Sequence, residues 1–452
     1  MKIYFPWTMG LGAHLPAARK PRLATLVAWL MAAGPPLRRA WRRLHFFSKQ
    51  DTSHTMEHGG DHASGTDHVT AFPYFTGVKT IAHFIAAPGG GGAEAMMRNL
   101  VGAMDSKHWR TVVIVMDGHS WPKEMAELRA AGAEVHDLAE GAYLRKDTLV
   151  KLVKLLRKVK PDVLQTWMHH ADFVGGWCAR VAGLKNVVWG IHCREIHRNP
   201  HDSELKMKVF KTLVGGSSQV VPASIISCSD AAMCDHVPMG YPKSRMVWVP
   251  NGIDTSRFVP DVEARTALRH ALHIPDKAPL VGFIGRFHEM KDLATWLRAA
   301  ALLQARHPET HFWLCGGEKH ELGPCASAAL SVMPHRTQVH FTGFRSDPQR
   351  AYPALDVFSL SSRTEACPMT LMEALSCGVP CVTTDVGDCA RLLEGVGKVV
   401  PARDPDALAR AWEEAILHPT APEVLRKAAV ERFDISTAAR GYEKVYAEVL
   451  RG

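Results

Sequence analysis

Glu365 and Glu373 stand eight residues apart in Ser361–Pro380, which reads SSRTEACPMTLMEALSCGVP. Pro368 suits the first turn of a helix, Leu371 to Leu375 continue it with good helix formers, and Gly378 followed by Pro380 stops it. The spacing therefore places Glu365 in a loop and Glu373 about one turn into a helix. Backbone N–H groups of Met369, Thr370 and Leu371, at the start of that helix, lack intrahelical acceptors and sit at the positive end of its dipole, which suits a diphosphate. One carboxylate then falls at the reacting end of a ligand and the other at ribose hydroxyls. A plainer reading, in which both are acids favoured near a helix start, fits the same spacing.

Positioning such a site requires elements that end together. From Val78 an apolar strand, VKTIAHFIAA, enters Pro88 and four glycines and then a helix-periodic AEAMMRNLVGAM. The loop lacks the Gly-Lys-Ser/Thr ending of a P-loop and lacks GxGxxG, so it is either a close backbone approach to a ligand or a flexible turn. Strands are expected at Arg110–Met116, Glu134–Leu138, Asp162–Trp167, Val187–Ile191 and Ser218–Ser227, with helices at Lys123–Ala131 and Thr148–Val159. Alternation of this kind predicts a parallel sheet covered on both faces, with ligands at the carboxyl ends of its strands. Gly89 to Gly92, His169, His170 and His192 fall at such ends, and each histidine has packing as its alternative role. At Met246–Asp254, MVWVPNGID, a strand runs into a tight-turn cluster that marks a junction. A second series follows with strands Leu280–Ile284, Thr310–Cys315, Gln338–Thr342, Val357–Leu360 and Cys381–Thr384, and helices Ala294–Arg306 and Pro405–Leu417. It brings Arg286, Lys291, Glu318, Glu365 and Glu373 to strand ends. The expected organisation is 1–76 as an N-terminal segment and linker, 77–248 and 249–430 as two Rossmann-like domains, and 431–452 as a closing helix.

Charge is placed unevenly. Residues 1–50 hold nine of the 54 Lys and Arg and no Asp or Glu, so the rest of the chain balances 45 basic against 45 acidic residues. A neutral body with one basic end is a poor duplex binder and suits peripheral contact with anionic lipid, not nucleic acid. The apolar run Leu23–Leu37 is interrupted by Gly34, Pro35 and Pro36 and is too short to span a bilayer as one helix. It reads as an interfacial anchor, a targeting segment or an upstream extension from a misassigned start, with export ranked below the other two. His54, His58, His62 and His68 lie in the polar linker. The ten cysteines form no CxxC pair and no zinc-ligand spacing, which predicts reduced thiols in a cytoplasmic protein and no metal core.

These residues resemble the retaining glycosyltransferases of the GT-B type, family 4, over about residues 78–450. The resemblance rests on GGAE at Gly91–Glu94, QTWMHHAD at Gln165–Asp172, ISCSD at Ile226–Asp230, VPNGID at Val249–Asp254, GRFHEMK at Gly285–Lys291, the E-x7-E pair and TDVGD at Thr384–Asp388. It implies an α/β fold of two Rossmann-like domains facing a cleft, with an acceptor held by the first and a UDP- or GDP-linked sugar by the second. The last helix in such folds crosses back to the first domain. Arg286 and Lys291 would neutralise the donor diphosphate and Glu373 would hold ribose. Glu365 would lie near the donor sugar, and Gly91 and Gly92 would bring amides to the phosphates. His170 resembles a polar residue of the first domain near the transferred sugar. Two fixed cations can stabilise a departing diphosphate, and no Asp-x-Asp motif points to a divalent ion, so no cofactor or metal is expected.

The sequence departs from the family pattern at Cys367, where many relatives carry an aromatic residue, and at Asp388, where glycine is usual. Asp388 either adds a carboxylate to the cleft or caps the helix beginning at Cys389. The function expected is sugar transfer to a saccharide or lipid-linked acceptor in polysaccharide, lipopolysaccharide or glycolipid synthesis, at the cytoplasmic face of a membrane. A nucleotide-sugar epimerase and an inactive binding subunit of an envelope assembly complex are the alternatives.

Overall fold

The computed structural model describes residues 77–139, 145–196 and 203–452, so the basic N-terminal segment and histidine-bearing linker expected over 1–76 lie outside the described residues. The first unit contains strands β1 (Lys79–Ile85), β2 (Trp109–Val115), β3 (Glu134–Asp137), β4 (Val163–Thr166), β5 (Val187–Ile191), β6 (Ser224–Ser227) and β7 (Met246–Trp248). Helices α1 (Gly92–Ala103), α2 (Pro122–Ala130), α3 (Lys146–Val159), α4 (Met168–Ala182), α5 (Glu204–Ser218) and α6 (Asp230–His236) connect them. In the second unit the strands are β8 (Leu280–Ile284), β9 (His311–Cys315), β10 (Val339–Phe341), β11 (Val357–Leu360), β12 (Cys381–Thr384) and β13 (Lys398–Val400). Its helices are α7 (Val262–Ala271), α8 (Leu293–Arg306), α9 (Pro324–Ser331), α10 (Met369–Ser376), α11 (Cys389–Leu392), α12 (Pro405–Leu417), α13 (Pro422–Phe433) and α14 (Ile435–Arg451).

Both sheets are parallel. Their inner strands are largely buried runs, as in β2 (WRTVVIV) and β9 (HFWLC), because helices cover both faces, whereas the edge strand β3 (EVHD) has no buried residue. The first sheet has the order β3-β2-β1-β4-β5-β6-β7 and the second β10-β9-β8-β11-β12-β13. Each order reverses once, between β1 and β4 and between β8 and β11, and a crevice opens at the carboxyl ends of the strands flanking such a reversal. The two crevices are bordered by the glycine loop after β1, the turn into α4, the Gly285–Lys291 segment after β8 and the Ser361–Pro368 loop after β11.

One expected strand is shorter than its sequence suggests. The sequence predicts a single strand over Ser218–Ser227, whereas α5 continues to Ser218 and only Ser224–Ser227 is extended. Gly215, inside α5, is a contact glycine: a Cβ there would collide with the Met239 carbonyl. Close approach, not a turn, selects it.

The chain leaves the first unit through Asn251–Gly252 and returns at Asp434–Ile435, where Ile253 and Asp434 form a parallel bridge. From there α14 lies along the first unit. Tyr446 is fully buried, meets Trp109 edge-on at 6.0 Å and donates to Gln165 Oε1 at 3.2 Å, while Glu443 Oε1 accepts from the Asp105 N–H at 3.2 Å.

Candidate functional site

The Ser361–Pro368 loop is built from β11 outward. Ser361 turns its hydroxyl back to the carbonyls of Lys291 (2.8 Å) and Asp292 (3.0 Å), tying the Ser361–Pro368 loop to the segment after β8. Asp292 has φ +46, caps α8 and holds Arg363 at 3.1 Å. These ties deliver Lys291 to Glu365: Lys291 Nζ donates to Glu365 Oε1 at 2.5 Å, and Ser362 Oγ donates to the same oxygen at 2.6 Å. One carboxylate oxygen is thus held by two donors.

Glu373 lies on α10 and is half-buried. Its Oε2 accepts from the hydroxyl of the fully buried Tyr352 at 2.6 Å. Burial raises the Glu373 carboxyl above the usual carboxylate range, while the Tyr352 hydrogen bond and the charge of Arg257 oppose that rise. Pro368 occupies the position just before α10, which begins at Met369. Of the three N–H groups expected at that start, Leu371 donates to the Pro368 carbonyl at 3.3 Å.

Across the cleft, Gly91 caps α1 in an extended conformation and Gly92 is its first residue. Gly90 has φ +102, where only glycine is unstrained, and a Cβ on Gly89 would enter the Trp121 ring. Gly92 is different. A Cβ there would meet only Met369 Sδ, at an ordinary contact distance of 4.0 Å, so the starts of α1 and α10 face each other and a methyl group fits without a clash. Glu94 is buried in the first turn of α1; burial raises its carboxyl, and the charges of Arg286 and Arg98 oppose the rise. Arg286, exposed after β8, therefore acts electrostatically on the first unit.

The histidines divide. His169 is buried, with its Nε2 2.7 Å from Nε2 of His236, and the rings stack. His192 stacks on Trp167 at 4.8 Å and lies 3.4 Å from the Tyr442 hydroxyl; burial lowers it to about 4. His170, in the first turn of α4, stacks on Phe210 with ring centroids 4.6 Å apart. The structure therefore brings Lys291 to Glu365, Gly92 to Met369 and Arg286 into electrostatic range of Glu94, and sets His170 against a helix of its own unit. Glu318 serves locally, in a capping box with Glu321.

Sequence reasoning missed Tyr352, Ser362 and the interdomain use of Asp388 and Asn251. Asp388 makes no side-chain cap to α11. Its carboxylate accepts instead from Ser229 Oγ (2.8 Å) and from the N–H groups of Asp230 (3.0 Å) and Ala231 (3.1 Å) on the other unit. Asn251 Nδ2 donates to the Cys367 carbonyl at 3.0 Å. The Cys367 thiol is pushed up to about 12 by burial and is therefore a neutral packing group. All ten cysteines carry free thiols.

Residues 90–257 match the family Glycosyltransferase Family 4, and residues 278–418 match Glycosyl transferases group 1. The chain is 26% identical over 322 residues to the putative glycosyltransferase EpsF of Bacillus subtilis (strain 168), covering 68% of this chain and 79% of that protein. It is 25% identical over 295 residues to a UDP-Gal:alpha-D-GlcNAc-diphosphoundecaprenol alpha-1,3-galactosyltransferase of Escherichia coli, covering 63% and 75%. Anabaena HepE, solved in complex with UDP-glucose, superposes with a TM-score of 0.68 at 19% identity over 82% of this chain and all of that one. With the paired parallel sheets, the facing helix starts and these matches together, the chain belongs to the family 4, group 1 glycosyltransferases of GT-B fold.

Proposed function

We propose that this glycosyltransferase moves a sugar from a UDP- or GDP-linked donor to a saccharide or lipid-linked acceptor, with retention of anomeric configuration and no required metal. Residues 249–430 hold the donor, 77–248 the acceptor, and 431–452 fasten one to the other. The observation that carries the reading is the approach of the α1 and α10 starts, where Met369 Sδ lies 4.0 Å from a Cβ placed on Gly92, with Lys291 bonded to Glu365 in the loop before α10 and Arg286 in electrostatic range of Glu94 on α1. Helix starts and fixed cations are what a diphosphate needs, most of all as charge grows on the leaving group.

In this reading the N–H groups of Gly91, Gly92, Met369 and Thr370 approach the phosphates, joined by Leu371 when it exchanges its weak bond to Pro368. Lys291 is shared between the diphosphate and Glu365. Glu373, oriented by Tyr352 through one oxygen, offers the other to ribose hydroxyls. Glu365 holds or stabilises the sugar at the reacting end, and His170 lies on the acceptor side. The name of the Escherichia coli relative carries a UDP-linked sugar donor and a diphosphoundecaprenol-linked sugar acceptor, and HepE was solved with UDP-glucose, which supports a comparable donor and acceptor here.

The test is incubation with individual UDP- and GDP-sugars and a polyprenyl-diphosphate-linked acceptor, following nucleotide release with and without EDTA. Turnover that survives chelation is expected. Binding without turnover would favour a non-catalytic subunit, and loss on chelation would remove the metal-free reading.

A further inference from the structure

Asp388 joins two things that other residues treat separately. On its own unit it ends the Val386–Asp388 turn, whose Gly387 has φ +58 and could not carry a side chain without striking the Glu365 carbonyl. The Asp388 N–H donates to the Ala366 carbonyl at 3.0 Å. Its backbone is therefore fastened to the loop that carries Glu365.

Its side chain is fastened to the other unit. The carboxylate is buried and receives the Ser229 hydroxyl and the N–H groups of Asp230 and Ala231, the first two residues of α6. Ser229 Oγ in turn accepts from the Ala232 N–H at 3.1 Å. The N–H groups of the first three residues of α6 are thus satisfied by two side chains, one of them from across the cleft. Two further contacts run along the same seam: Asn251 to the Cys367 carbonyl, and Arg391, three residues after Asp388, over the Trp248 ring at 4.5 Å.

We propose that Asp388 is a positioning residue: a clasp that sets the spacing of the two units and the placement of the Glu365 loop as one rigid arrangement. This rests on reading Glu365 as the carboxylate at the reacting end. Charge-assisted hydrogen bonds suit such a clasp because water replaces them when the units part, so the seam can open without leaving buried polar groups unpaired. In the proposed site Arg286, Lys291 and Glu373 stay together on the second unit when the clasp is lost and only the share of Gly91 and Gly92 is exposed to the change, so the loss falls chiefly on turnover.

The test compares the full-length wild type with Asp388→Ala, Asp388→Asn and Glu365→Gln. Asp388→Asn is isosteric, but its NH2 accepts nothing from the α6 N–H groups. For both Asp388 variants the expected result is a fall in kcat of about ten- to a hundredfold with UDP affinity by calorimetry changed less than threefold. Hydrogen exchange in a peptide spanning Ser229–His236, which holds α6, should quicken at least tenfold while α4 and β6 keep their protection. Unchanged kcat, or unchanged exchange in that peptide, overturns the clasp. Glu365→Gln separates the two ideas. If it transfers normally while the Asp388 variants lose kcat and protection, the clasp stands and the role of Glu365 falls. If it abolishes transfer while the Asp388 variants behave as wild type, the clasp falls alone.

Discussion

Arg286 and Lys291 differ in how they are held, and substitutions should show it. Removing either cation takes away a donor to transition-state charge, with an expected loss of about two to four orders of magnitude in transfer rate; a loss below threefold in steady-state assays would remove the diphosphate role. For Lys291 the loss also frees Glu365, whose Oε1 keeps only the Ser362 hydroxyl. Tyr352 makes a second prediction. Its hydroxyl stabilises the ionised form of Glu373, so Tyr352→Phe should raise that carboxyl further. In the proposed site the Glu373 carboxylate holds ribose, so the acid limb of the UDP affinity profile should move to higher pH in the variant. The limb should vanish with 2′,3′-dideoxy-UDP. At this scale the E-x7-E pair and the two cations were legible because their spacing is local. Tyr352 was not: it lies 21 residues before Glu373, and only packing brings them together.

Helix starts carry the next set of expectations. Alanine is a better helix former than glycine, and Gly92 has no packing reason to lack a Cβ. Gly92→Ala should therefore keep the melting temperature at or above wild type while weakening UDP binding; equal binding would show that no phosphate approaches α1. Helix α4 offers a stability test through Asp172, which is fully buried. Its Oδ1 accepts from Thr166 Oγ1 (2.6 Å) and the Gly190 N–H (3.2 Å), and its Oδ2 has no partner. Burial raises its carboxyl well above the ordinary value of about 3.9. A raised folded-state value means the folded chain binds more protons, so the penalty is absent below about pH 4 and grows as pH rises toward the folded value. The melting temperature of the wild type relative to Asp172→Asn should fall as pH rises above about 4; a constant difference would contradict it. Most strands and the long amphipathic helices were readable from apolar runs. Helix α5 was not: Gly215 within it is selected by a tertiary contact that no local pattern encodes.

The family and the two-sheet architecture were visible in the order of motifs, whereas the seam between the units was not, since Asp388 and Ser229 are 159 residues apart. Attachment of α14 to the first unit is a global property with a global test. Truncating the buried Tyr446 to Ala should cost about 3–5 kcal/mol, the range for large aromatic deletions. At about 2–4 °C per kcal/mol the melting temperature should drop about 6–20 °C, and a shift under 2 °C by calorimetry would show that α14 contributes little. The chain passes between the units twice, outward at Asn251–Gly252 and back at Asp434–Ile435, and the two passages are bonded to each other through Ile253 and Asp434. Two bonded strands side by side behave as a strap: they fold about the line they share and resist shear and torsion. Such a strap favours opening about the line its two passages share, and distances measured across the cleft at two places should then change together.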